Sequence, residues 1–197
     1  MAILPILVAP HPVLKKKCTP VEAVDGHIRR VLDDMLETMY DAPGIGLAAP
    51  QIGLAKRMLV VDCAGRGETP QPMKIINPEI IAESDELASY EEGCLSFPEQ
   101  YADVKRPARV TVKYLDETGT EQTLDADGLL ATCIQHEIDH LDGLCGSYIL
   151  VETGYDHAQA AKTDAWEAPP GRRGGVIPPH PVCAVPPLGK HPVRNQI

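Results

Sequence analysis

Aromatic residues are scarce in this chain: one Phe, one Trp and six Tyr, 4% of 197 residues. With 44% of residues hydrophobic, any core must be built from aliphatic side chains. Basic residues are also short, 18 Lys and Arg against 28 Asp and Glu for a net charge of −10, which argues against a nucleic-acid backbone as partner. No apolar run approaches the roughly 18 residues of a membrane span, and the opening Met1-Ala2-Ile3-Leu4-Pro5 lacks the blocks of a signal peptide. The six cysteines, at 18, 63, 94, 133, 145 and 183, show no paired spacing. Reduced thiols in a cytoplasm, one of them recruited to a metal, fit better than a disulfide framework. A length of 197 residues suits one well-buried domain.

What is present is concentrated in His136-Glu137-Ile138-Asp139-His140. Apolar residues at Leu130, Cys133, Ile134, Ile138 and Leu141 predict a helix over 128–141 behind Asp127. On a helix, His136 and His140 lie one turn apart on one face and can grip one ion. Glu137 is rotated by about 100° from His136, within reach of a water at that ion without being a ligand. A catalytic metal needs about three protein ligands and one open position. Spacing alone leaves the third ligand open among Cys94, Cys133 and Cys63, although Cys133, three residues before His136, fits a core position better.

Two further segments stand upstream: Gly44-Ile45-Gly46-Leu47-Ala48-Ala49-Pro50-Gln51 and Glu91-Glu92-Gly93-Cys94-Leu95-Ser96. The first lacks the third glycine of a dinucleotide fingerprint and the Lys-Ser/Thr of a phosphate loop, so it is read as a loop without nucleotide function. Elsewhere, Pro5, Pro10, Pro12 and Pro20 predict extended or looped chain with little helix over 1–25, and spacing predicts a helix over 28–40, buried strands over 58–62 and 74–81, and a hairpin pairing 109–115 with 122–124. The expected class is α+β, with antiparallel sheets packed around a central helix carrying H-E-x-x-H.

In this order, G-x-G-L-A-A-x-Q, E-G-C-L-S and Q-H-E-x-D-H-L-x-G (135–143) resemble the peptide deformylase family over residues 1 to about 143. The resemblance implies Cys94, His136 and His140 as metal ligands, with Fe(II) characteristic of the family and Zn(II) or another divalent ion also suited to such a site. It implies Glu137 as general base, and Gln51 and the Leu95 N–H as donors to the developing oxyanion. Ile45, Leu129 and Cys133 would line a methionine pocket, and an extended peptide would run near Gly46 and Gly93. The implied substrate is the N-terminal formyl-methionine of a nascent polypeptide, with formate released. A monomeric, cytoplasmic enzyme of bacterial type, associated with ribosomes through its substrate, is expected. A zinc endopeptidase would leave the two upstream segments unexplained. A catalytically impaired homologue draws its support from the C-terminus.

There the resemblance stops. Residues 1–150 are read as the catalytic domain and 151–197 as an atypical Pro/Gly-rich tail, expected to be disordered. Residues 167–197 hold eight prolines and four glycines, too little apolar material for a core. Permitted codons for residues 145–164, read one base later, can spell V-D-H-I-S-W-L-K-R-D-M-I-M-R-K-L-Q-R-L, close to the strand and basic helix the family carries there. A frameshift and a divergent tail are both consistent with this segment, and re-sequencing the locus separates them.

Overall fold

The computed structural model describes residues 2–65 and 67–144. The proposed tail lies outside them. Among these residues, two α-helices flank a five-stranded sheet, and a separate two-stranded hairpin packs against the second helix. Helix α1 (Gly26–Asp41) begins at Asp25, whose carboxylate accepts the His27 and Ile28 N–H groups at 2.9 Å, capping two orphan donors. Its Leu32, Met35 and Met39 are fully buried, the stripe that the spacing over 28–40 predicts.

The sheet runs in the order β1 (Gly46–Ala48), β2 (Met58–Val61), β3 (Met73–Glu83), β6 (Arg109–Leu115), β7 (Glu121–Asp127). All of its strand pairs are antiparallel. β2 shows why an unbroken apolar tetrad is needed. Leu59 and Val61 join the core cluster that contains Ala131, Ile134, Ile138 and Leu141, while Met58 and Val60 join the cluster of Leu32, Met35 and Met39. A strand buried on both faces has no solvent side to alternate toward. Helix α2 (Gly128–Leu141) has the bounds expected from spacing, although the Asp127 side chain makes no capping hydrogen bond. α2 packs on β1, β2 and β7 and touches both strands of the hairpin.

The glycine octet corrects one expectation. Its middle is not loop but the edge strand β1, because Gly46, Leu47 and Ala48 pair with Val61, Val60 and Leu59. A 3₁₀ turn at Ala49–Ile52 follows and carries Gln51. The hairpin β4 (Leu87–Cys94) and β5 (Phe97–Pro107) has no counterpart in the expected elements. Ala102, Val104 and Arg106 face inward, and exposed Leu87 with buried Glu92 and Arg106 conceals the period of two in residue type. No described helix is long and apolar enough to cross a membrane.

Candidate metal centre and active site

Three elements converge. The β4–β5 hairpin turns at Leu95–Ser96 and holds Cys94 at its tip, where the register shifts between Gly93 and Cys94. α2 presents His136 and His140, their ring centroids 5.1 Å apart. One ligand atom each from Cys94, His136 and His140 lies within 4.8 Å of the others, and all three residues are buried. Cys94 Sγ is 3.2 Å from His140 Nε2. Ligands bound tetrahedrally at about 2.3 Å (sulfur) and 2.0 Å (nitrogen) stand about 3.5 Å apart, so these residues fit an ion with little adjustment.

Glu92 orients the first histidine. Its Oε2 accepts from His136 Nδ1 at 2.9 Å, which turns Nε2 of that ring toward Cys94 and His140. Arg106 grips the same carboxylate with two hydrogen bonds, at 2.6 and 3.0 Å, and reaches Asp139 at 2.8 Å. Burial alone would raise the Glu92 carboxyl, but His136 and Arg106 hold it below the ordinary value. Desolvation opposes a charge on His136, and Cys94 and Glu92 overcome it, pushing the ring up to about 10. Binding an ion there must displace that proton.

Glu137 is fully buried, and neither carboxylate oxygen has a hydrogen-bond partner. Burial pushes it up to about 7, near the value suited to proton transfer at neutral pH. A buried carboxylate without donors is costly unless a further polar group or ion completes its surroundings. Gly46 makes the space for it: a Cβ there would lie 2.5 Å from Glu137 Oε1 and 2.8 Å from Cys133 Sγ.

Gln51 is fixed at both ends. Its Oε1 accepts the Ala48 N–H at 2.7 Å, and Nε2 donates to Ser96 Oγ at 3.3 Å and toward Cys94 Sγ at 3.9 Å. Ser96 Oγ donates to the Leu7 carbonyl at 2.8 Å, and the Leu7 N–H to the Gln51 carbonyl at 2.7 Å. The N-terminal segment thus ties the hairpin tip to the 3₁₀ turn. Leu95, half-buried in that tip, packs against the α1 core cluster. Of the proposed pocket residues, Ile45, Gly46 and Cys133 come together, with Cys133 Sγ 3.5 Å from the Ile45 carbonyl. Leu129 sits one turn before Cys133 on α2, and Gly93 is buried opposite Tyr101.

Sequence reading assigned no role to Glu92, Arg106, Asp139 or Ser96. Glu92 and Ser96 lie inside a quoted motif and Asp139 inside H-E-I-D-H, but Arg106 belongs to the strand that patterning missed.

The polypeptide deformylase family profile matches residues 3–148. A peptide deformylase of Rhizobium meliloti (strain 1021) is 59% identical over 144 residues, 73% of this chain and 83% of the relative. That of Agrobacterium fabrum (strain C58) is 58% identical over 144 residues, 73% and 85% of the two chains. The crystal structure of a peptide deformylase from Legionella pneumophila aligns with a TM-score of 0.68 at 46% identity, covering 72% of this chain and 82% of that one. The Ehrlichia chaffeensis enzyme in complex with actinonin aligns with a TM-score of 0.72 at 39% identity, covering 82% and 95%. With this identity and coverage, the chain belongs to the polypeptide deformylase family, the enzymes that remove the formyl group from N-formylmethionine.

Proposed function

We propose that this chain deformylates nascent polypeptides with Glu137 as general acid–base and Cys94, His136 and His140 as the ligands of a divalent ion. The observation that carries this reading is the fully buried Glu137 carboxylate, without a hydrogen-bond donor, beside three convergent ligand atoms. When bound, the ion supplies Lewis acidity toward the formyl oxygen and toward an attacking water. Glu137 takes the proton of that water and returns it to the departing amine, a task matched to a carboxyl poised near neutrality. Gln51 Nε2, its other end anchored at Ala48, donates to the oxygen on which charge develops, together with the Leu95 N–H.

The methionine side chain enters beside Ile45, Leu129 and Cys133. The peptide backbone extends along the free edge of β1 near Gly46 and past Gly93, the mode in which a strand is added to a sheet. We read α2 as the central helix of the domain, Fe(II) as the ion in the cell, and the protein as a cytoplasmic monomer meeting its substrate at the ribosome. Thiolate-ligated Fe(II) is prone to oxidation, so iron-loaded chain should lose activity in air.

The test is formate release from a formyl-Met tripeptide by anaerobically prepared, Fe(II)-loaded full-length chain, with an internal-bond peptide alongside. Formate with the internal peptide intact supports the reading. Internal cleavage would make the chain an endopeptidase, and bound metal without formate would make it an impaired homologue.

A further inference from the structure

Strand β2 directs Leu59 and Val61 into the α2 core cluster and Met58 and Val60 into the α1 cluster. Continuing the period of two, Cys63 falls on the α2 side, and it packs, half-buried, against the same cluster as Cys133. The backbone holds this placement. The Asp62 N–H donates to the Ile45 carbonyl at 2.9 Å, and Cys133 Sγ reaches that same carbonyl at 3.5 Å. Burial first, then the neighbouring Cys63 thiol, pushes the Cys133 thiol well above its ordinary value. On its other side Cys133 meets the space between Gly46 and Glu137. Both cysteines are free thiols, and the hydrolytic roles given above make no use of Cys63.

We propose that Cys63 and Cys133 form a peroxide-responsive dithiol site, in which a hydroperoxide joins the two thiols into a disulfide beside the catalytic glutamate. Cys63, the more accessible of the pair, reacts first. Its thiolate attacks one peroxide oxygen and the O–O bond breaks, leaving a sulfenic acid on Cys63 and releasing an alcohol, or water from hydrogen peroxide. The Cys133 sulfur then attacks the Cys63 sulfur. The S–O bond breaks, and the hydroxide leaves as water with the Cys133 proton. Two thiols and one hydroperoxide thus give one disulfide, one water and one alcohol, with two electrons passing from the sulfurs to the O–O bond. A low-exposure partner waiting beside a more exposed thiol is the arrangement of redox-responsive cysteines in a reducing compartment.

Closing an S–S bond of about 2.05 Å draws Cys133 Sγ away from the Ile45 carbonyl and from the wall it shares with Gly46 and Glu137. The effect on activity rests on the pocket reading above; the cross-link itself does not. Metal-loaded full-length chain is treated with hydrogen peroxide, alkylated, digested without reductant and mapped by mass spectrometry, with KM for a formyl-Met tripeptide measured before and after dithiothreitol. We expect Cys63- and Cys133-containing peptides joined with the loss of two hydrogens, and a several-fold rise in KM reversed by dithiothreitol. Cys63→Ser should keep the basal activity and show neither change. Recovery of both cysteines as alkylated thiols, or Cys133 joined elsewhere, would overturn the proposal. A cross-link with unchanged KM would overturn its control of activity. Untreated chain that releases no formate would instead count against the deformylase reading, and the peptide map would still decide the cross-link.

Discussion

Replacing Arg106 with Met should destabilise the protein more than any surface substitution. Glu92 is fully buried and accepts two hydrogen bonds from Arg106 and one from His136. Methionine fills much of the volume but leaves this carboxylate with one partner, and Asp139 loses its ion pair as well. Breaking a buried pair by removing one member costs about 3–5 kcal/mol, against a total of about 5–15 kcal/mol for a domain. Urea unfolding followed by far-ultraviolet circular dichroism reads this directly. Because Glu92 holds His136, metal affinity should fall by about ten- to a hundredfold, measured by competition with a chelator. Adding Glu92→Gln removes the stranded charge while keeping an acceptor for His136, so the double variant should recover stability over Arg106→Met alone. A single variant within about 0.5 kcal/mol of the parent, the range of ordinary surface changes, would refute the reasoning. A double variant no more stable than the single would show that the stranded charge is not the cause.

Other outcomes follow from the same geometry. Gly46→Ala places a methyl 2.5 Å from Glu137 Oε1, and displacing that carboxylate by about 1 Å should cost about a hundredfold in kcat with metal content unchanged; an unaffected kcat would show that Glu137 is not held there. Asp116 accepts from the Thr118 hydroxyl, Gln122 and the Thr118 and Thr120 N–H groups, which lowers its pKa to about 2. Its folded value lies below the unfolded one of about 3.9, so this stabilisation is present above that pH and lost as pH falls toward 2. The stability gap between the parent and Asp116→Asn, measured by urea unfolding, should therefore narrow through that window, and a constant gap would contradict the assignment. Removing the metal with a chelator should lower the melting temperature, since an ion bound only by the folded chain stabilises it. Iron-loaded chain should lose activity in air while zinc-loaded chain keeps its own; equal persistence would count against iron chemistry at Cys94.

The parts of this molecule legible in sequence are those where one periodicity dominates. α1, β2, β3, the β6–β7 hairpin and α2 all carry an apolar stripe or run, and their bounds emerge to within a few residues. β1 was hidden because three small or apolar residues among glycines look like a turn until Val61, Val60 and Leu59 are seen opposite them. The β4–β5 hairpin was hidden because residue type does not follow burial there: along β4 burial alternates, yet Leu87 is exposed while the charged Glu92 and Arg106 are buried. The histidines were recognisable from a helical repeat. Cys94 was not, since its approach to His140 depends on folding a hairpin tip 46 residues away onto α2. Arg106 shows the limit most clearly: it pairs with Glu92 and Asp139 across three different elements, and no local pattern encodes that meeting.

The most direct test of the central claim is a paired measurement on Glu137→Gln: bound metal per chain, and formate released from a formyl-Met tripeptide. The glutamine keeps the shape but cannot carry the proton. The account predicts metal content equal to the parent and a rate lower by about a hundred- to ten-thousandfold, the usual worth of a general acid–base. Parental formate release from the variant, with its metal bound, would contradict it.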